Sequence, residues 1–299
     1  MGTLYLVATP IGNLEDITLR ALRVLRECSL VAAEDTRVTG RLLTHFDIEK
    51  PLVSHHEHSR PANVERILTA LDGGDVALVS EAGMPLFSDP GYELVQAALE
   101  HGFAVVSIPG PSALTAALPL SGLPMDRFLY LGFLPRKASD RRRTLDEVAD
   151  VRATLVLFEA PHRLRATLAD AIDSLGADRR CTVCRELTKR HEEVWRGTLS
   201  GALAEWRDRK PRGEFTLVIE AASEPGPWDE GRVRTALSTL QAEGIGRSEA
   251  ARRVARQSSW TKSDVYAIWP DAQLRPDAQL RPDAQIRGPT TPDPDKFAT

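Results

Sequence analysis

The feature that most constrains this chain is a series of short apolar segments, each ending in an unusual loop and separated from the next by a helical pattern. Residues 4–8 lead through Thr9-Pro10-Ile11-Gly12-Asn13-Leu14-Glu15-Asp16 into a helix predicted over 16–28, with Asp16 as N-cap and Leu19, Ala21, Leu22 and Leu25 on one face. Residues 30–33 end in Glu34-Asp35-Thr36-Arg37, and Leu52-Val53 ends in Ser54-His55-His56-Glu57-His58. A helix over 63–71 stops at Gly73-Gly74. The strand predicted at 76–79 is followed by the loop 80–91 and a helix at 92–100. A strand at 105–108 runs into Pro109-Gly110-Pro111-Ser112, where Ser112 is expected to cap the next helix. Strands alternating with helices predict βαβ units and a mostly parallel sheet. Ligands of such sheets bind beyond the carboxyl ends of the strands, so these loops are expected along one edge.

After Ser121-Gly122-Leu123-Pro124 the alternation restarts, with strands predicted at 128–134, 154–158, 181–187 and 215–219 and a helix at 162–175. The fold class is therefore α/β. Residues 1–121 form an N-terminal α/β domain with a parallel sheet and 122–223 a second α/β domain. Glu224-Pro225-Gly226-Pro227 reads as a linker and 228–269 as a small helical appendage. Beyond it, Pro-Asp-Ala-Gln-Leu-Arg recurs with proline in each copy and too few apolar residues for a core, so 270–299 is expected to be disordered.

Composition excludes several classes. No basic stretch precedes the first apolar run, and no segment has the roughly 20 apolar residues of a membrane helix, so a cytoplasmic location without membrane contact is expected. The three cysteines cannot build a disulfide framework, and Cys181-Thr182-Val183-Cys184 lacks the second pair of a structural zinc site. His55, His56 and His58 have no carboxylates at ligand spacing and read as a polar loop, so no metal is expected. The first strand is not followed by Gly-x-Gly-x-x-Gly, which disfavours a phosphate-anchored dinucleotide. A formal net charge of −4 means that any RNA site is a local patch.

Two loops read as ligand-binding on turn chemistry. Residues 80–91 hold two glycines, two prolines and two acids, and Pro109-Gly110-Pro111-Ser112-Ala113 holds backbone at a strand end; glycine permits close approach and proline fixes the turn. With Ala8-Thr9-Pro10-Ile11-Gly12-Asn13-Leu14-Glu15-Asp16, Ala33-Glu34-Asp35-Thr36-Arg37, Gly132-Phe133-Leu134-Pro135, Glu159-Ala160-Pro161-His162-Arg163 and Arg185-Glu186-Leu187-Thr188-Lys189, these loops resemble the ribosomal RNA small subunit methyltransferase I family. That family is a branch of the tetrapyrrole methylase superfamily. The resemblance runs from Leu4 to about Ile219, and Glu249-Ala250-Ala251 and Lys262-Ser263-Asp264-Val265-Tyr266 extend it into the appendage. The tail does not share it. Glu81-Ala82-Gly83-Met84-Pro85 stands where the family usually has Asp-Ala-Gly-Thr-Pro, a longer acid and a lost hydroxyl.

The resemblance implies a homodimer with S-adenosylmethionine in a cleft between the two α/β domains. The substrate it implies is the small ribosomal subunit, methylated at the 2′-oxygen of a cytidine in the decoding region of 16S rRNA. It places Pro10, Gly12, Glu81, Gly83, Ser88 and Asp89 at the cofactor, with Pro109, Gly110, Ser112, Ala113, Glu159 and Pro161. A ribose hydroxyl needs a base, and Glu34, Asp35, His56, Glu81 and Lys189 all lie near predicted loop ends. Asp35 beside Arg37 is preferred as the reacting carboxylate, with Arg37 and Lys189 as its companions. Among basic patches, Arg136, Lys137, Arg141, Arg142 and Arg143 are the densest and are expected to meet RNA; Lys189-Arg190 and the helix with Arg247, Arg252, Arg253 and Arg256 are alternatives. A tetrapyrrole C-methyltransferase is the rival enzyme, disfavoured by Thr9-Pro10-Ile11-Gly12-Asn13 where those relatives carry Gly-x-Gly-Pro-Gly-Asp. A non-enzymatic ribosome assembly factor is the rival of another class.

Overall fold

The first five strands are apolar on both faces, as a parallel sheet between helical layers requires. In the computed structural model, which describes residues 2–56, 61–223, 228–258 and 260–269, they are β1 (Thr3–Val7), β2 (Leu30–Ala33), β3 (Leu52–Ser54), β4 (Val76–Val79) and β5 (Ala104–Ile108). They pair in parallel in the order β3-β2-β4-β1-β5. Val7, Val31, Ala77 and Ile108 pack on one face with α1 (Leu19–Glu27) and α2 (Thr36–His45). Leu4, Ala32, Val53 and Leu78 pack on the other with α3 (Pro61–Gly73) and α4 (Tyr92–Glu100). Each Leu or Val so buried contributes about 1.5–3 kcal/mol, and a one-residue slip exchanges the two faces, so burial fixes the register.

Helix α1 starts later than predicted. Asn13 caps a 3-10 turn at Leu14–Asp16, extended Ile17 breaks the helix, and Thr18 is the true N-cap, its hydroxyl accepting from Ala21 N at 3.0 Å. Ser112 occupies the N-cap position of α5 (Ala113–Ser121), but its side chain makes no capping bond, which corrects that expectation.

The second sheet comprises β6 (Phe128–Phe133), β7 (Thr154–Glu159), β8 (Arg180–Arg185), β9 (Glu193–Thr198) and β10 (Phe215–Ile219), in the order β6-β7-β10-β8-β9. Only β6 and β7 are parallel. Strand β8 ends at Arg185, short of the predicted 187, because Glu186 turns to φ 51. Helices α6 (Ala138–Glu147), α7 (Leu164–Leu175) and α8 (Leu199–Glu205) cover one face through Leu145, Leu168 and Ala202, which meet Leu155, Val183 and Leu217. The other face is covered from the first half: Leu114, Ala117 and Leu118 of α5, with Ile11, meet Val156, Cys184 and Val218. Cys181 and Cys184 thus enter cores on opposite faces of β8 and cannot share a ligand; burial pushes their thiols to about 12 and about 11.

The described residues up to Ala222 form one compact unit and those from Ser223 to Trp269 another. In the second unit, α9 (Glu230–Ala242), α10 (Arg247–Gln257) and α11 (Lys262–Ala267) pack around Trp228, Val233, Leu237, Ala250, Val254 and Val265. The predicted linker at 224–227 and the tail at 270–299 lie outside the described residues. Among the described residues, no helix is long and apolar enough to cross a membrane.

Candidate active site

Parallel strands bring their carboxyl ends to one edge, and there the loops of the first sheet meet the second sheet around a cleft of about 360 Å³. Ile11, Glu34, Met84, Asp89 and Ala113 line it from the first half, and Phe133, Phe158, Pro161, Glu214 and Phe215 from the second. Phe158 packs edge-on against Tyr130 and Phe133, with ring centroids 5.2 and 5.7 Å apart, giving an apolar wall.

The loop after β4 is tied to the loop after β1. Gly83, at φ 85, pairs with Thr9 through two backbone hydrogen bonds of 2.9 Å, locking the loops after β1 and β4 together. Leu86 and Ser88 also take positive φ, 73 and 66, although neither is glycine. Such conformations cost of order 1–3 kcal/mol each and collect at functional sites. Ser88 Oγ lies 2.7 Å from Tyr130 Oη across the cleft, and a Cβ on Gly132 would stand only 2.9 Å from Ser88 Oγ.

Of the residues assigned to the cofactor, Glu81, Gly83, Ser88, Asp89, Ser112, Ala113, Glu159 and Pro161 line this cleft. Pro10 and Gly12 line a neighbouring pocket of about 240 Å³, which shares Glu81 with it. Pro109 and Gly110 are absent from the cleft's described lining. The close approach at Gly110 is to the protein itself, since its Cβ would lie 3.0 Å from Ala8 Cβ. Glu159 is fully buried, and its carboxylate is taken up by Ala160 N, Thr167 Oγ1 and Arg163, so it fixes the turn to Pro161.

Asp35, expected above to be the reacting carboxylate, is engaged locally instead. It caps α2, accepting from Arg37 N at 2.7 Å and from the Arg37 guanidinium at 3.1 and 2.5 Å, and does not line the cleft. These bonds hold its carboxyl well below the usual range, so it is a poor base. Arg37 is mostly exposed. Lys189 bonds Glu186 and Glu214 at 3.0 Å each, and its Cγ packs 2.3 Å from where a Cβ on Gly12 would sit. Burial lowers its ammonium pKa, but the hydrogen bonds and charges of Glu186 and Glu214 outweigh this, so Lys189 stays protonated and anchors Glu214 at the cleft.

Glu34, Glu81 and Asp89 place three carboxylates on the cleft. Burial, then the charges of Glu34 and Glu81, push Asp89 up to about 6 against a hydrogen bond from Ser80. Burial also raises Glu34. Glu34, Ser88 and Asp89 line in addition a second cavity of about 500 Å³ with His55, His56, Pro90, Tyr92 and Glu93. The polar-loop reading of the histidines is corrected for His55, which is buried, only 5% exposed. Its signal was a polar pair at the end of a strand. His58 lies outside the described residues.

In the basic patch, Arg141 is corrected: it is buried and spends its guanidinium on Asp170, at 2.5 and 2.6 Å, and on two carbonyls. Arg142 and Arg143 are exposed, pairing with Asp170 at 3.0 Å and Asp140 at 3.5 Å, and Arg136 and Lys137 are exposed beside them.

The family model for tetrapyrrole (corrin/porphyrin) methylases matches residues 3–203. The chain is 48% identical over 271 residues to a ribosomal RNA small subunit methyltransferase I of Synechocystis sp., spanning 90% of this chain and 97% of that protein. It is 40% identical over 273 residues to the protein of the same name from Bacillus subtilis, spanning 89% and 93%. Among solved structures, uroporphyrin-III-C-methyltransferase from Thermus thermophilus has a TM-score of 0.54 at 23% identity, spanning 74% of this chain and 94% of that one. The Thermus thermophilus enzyme complexed with S-adenyl homocysteine has a TM-score of 0.51 at 22% identity, spanning 73% and 97%. Those two likenesses extend the shared fold to distant relatives, and the near full-length identities carry the closer relationship: the chain belongs to the ribosomal RNA small subunit methyltransferase I family of the tetrapyrrole methylases.

Proposed function

We propose that this protein transfers a methyl group from S-adenosylmethionine to the ribose 2′-oxygen of a cytidine in the decoding region of 16S rRNA, acting on the small ribosomal subunit in the cytoplasm as a homodimer. The observation that carries the reading is identity at 48% across 90% of the chain with a protein named for small-subunit rRNA methylation. The halves 1–121 and 122–223 then act as the two walls of the cleft.

The cleft's donor set fits the proposed cofactor. Glu34, Glu81 and Asp89 suit the cationic sulfonium and ammonium groups, the phenylalanine wall suits a purine, and Gly83 offers backbone without a side chain. Glu81, Gly83, Ser112, Ala113 and Pro161 would hold it, and bound there it supplies an electrophilic methyl carbon. The same carboxylates disfavour a tetrapyrrole precursor, which is a polyanion, whereas a ribose hydroxyl is neutral. Its flanking phosphates remain for Arg136, Lys137, Arg142 and Arg143 at the surface. Holding donor and acceptor in line contributes roughly 7–11 kcal/mol to such a reaction.

The test is transfer of labelled methyl from S-adenosylmethionine to purified small subunits, with a porphyrin precursor as rival acceptor and calorimetry for donor binding. Labelled 16S rRNA with an unlabelled precursor is expected. Label in the precursor alone would favour the rival enzyme, and no donor binding would favour an assembly factor. Sedimentation reports the dimer.

A further inference from the structure

The second cavity borders the cleft proposed for the donor. Its walls come from the ends of β2 and β3, Val64 of α3, the loop after β4 and the start of α4, and it shares Glu34, Ser88 and Asp89 with the donor cleft. At about 500 Å³ it falls within the range of about 300–1,000 Å³ typical of small-molecule sites. One buried group in its wall lacks a partner: among the described residues nothing bonds Nδ1 of His55, although its backbone N–H is fixed on Ala33 O at 2.8 Å. An unpaired buried nitrogen of this kind costs about 1–3 kcal/mol unless a ligand satisfies it. Burial holds this imidazole below its ordinary pKa, so it is neutral at pH 7 and offers one hydrogen bond.

We propose that this cavity receives the ribose of the acceptor nucleotide, with Asp89, on the wall shared by both cavities, as the group that takes the 2′-hydroxyl proton and His55 Nδ1 as a hydrogen-bond partner of the same nucleoside. The assignment rests on the functional reading above. Asp89 removes the proton as the oxygen–methyl bond forms and the carbon–sulfur bond breaks with its electron pair passing to sulfur; the proton then leaves to water past Tyr92 and Glu93. The chemistry of the walls selects a neutral hydroxyl. Glu34, Asp89 and Glu93 accept hydrogen bonds and repel phosphate, so the sugar enters while its phosphates stay outside. Tyr92, 65% exposed, stands at the rim, where an unstacked base finds an aromatic face.

Asp89 is suited to the step by its surroundings. Burial and the charges of Glu34 and Glu81 raise it to about 6, more basic than an ordinary carboxylate yet ionised at pH 7. Glu34, Glu81, Glu159, Glu214, His55, His56, Tyr92, Glu93 and Tyr130 are the titratable groups of the two cavities it lines and of their walls. Its backbone is held by Ser88 at φ 66, tied to Tyr130.

The test compares wild type, Asp89→Asn and His55→Ala for donor affinity by calorimetry and for single-turnover methylation of small subunits between pH 5 and 9. With the donor saturating, Asp89→Asn should methylate about 10²–10⁴ times more slowly than wild type, a loss larger than any loss of donor affinity. The wild-type rate should rise with pH through about 6, and the variant should lose that limb. His55→Ala should need about tenfold more subunit for half-saturation, with donor affinity unchanged. An Asp89→Asn rate within about threefold of wild type, or a loss of donor affinity matching the loss of rate, overturns the assignment while leaving the functional reading intact. A wild-type protein that binds donor but never methylates subunits overturns both.

Discussion

Asp89 carries a cost that the fold bears for its position. Its folded pKa of about 6 exceeds the unfolded value of about 3.9, so between these the folded state binds more protons and stability falls as pH rises. The penalty is fully present above pH 6 and absent below about 4. Asp89→Asn should therefore raise stability by up to about 1 kcal/mol at pH 7.5, a figure reduced for partial solvent exposure, and change it little at pH 4; thermal unfolding at both pH values measures this. Arg141 is the opposite case. Arg141→Ala leaves Asp170 buried with only Arg142 beside it, at a cost of about 3 kcal/mol in a melting experiment, whereas Arg143→Glu should leave stability unchanged. Neither role was legible in sequence. Three successive arginines on one helix look alike, and only the packing of α6 on α7 turns Arg141 inward. The Asp35 and Arg37 pair was legible as a pair, but not as a helix cap that consumes its own carboxylate.

At the level of elements, the parallel sheet was the most legible part, because β1, β2 and β4 are apolar on both faces and loops of special composition follow them. Strand β9 was not anticipated: Glu193-Val194-Trp195-Arg196-Gly197-Thr198 lies at a sheet edge, where charged residues and glycine obscure the alternation. The site was legible as loops and not as a cavity. Glu214 and Phe215 come to the cleft from β10 and the turn before it, and nothing local marks them. The join between β6 and the loop after β4 is a testable detail. Gly132→Ala combines φ 62 with a Cβ 2.9 Å from Ser88 Oγ, so it should cost about 1–2 kcal/mol from backbone strain alone and also displace Ser88 from Tyr130. Donor affinity and the melting temperature should fall together. Unchanged donor binding would mean that the cleft tolerates a shifted Ser88.

For the whole molecule, the first unit is held together because α5 and Ile11 of the first half complete the core beneath the second sheet. With a net charge of −4, the RNA recognition proposed above falls to local cations. Reversing Arg142 and Arg143 should flatten the salt dependence of subunit binding by about 1 in slope for each lost phosphate contact, with donor affinity unchanged. The measurement that bears most directly on the account is mass mapping of ribose methylation in 16S rRNA from cells with and without this gene. A single 2′-O-methylcytidine in the decoding region, lost on deletion and restored by wild type but not by Asp89→Asn, is the result expected. An unchanged methylation map on deletion would contradict the proposed function.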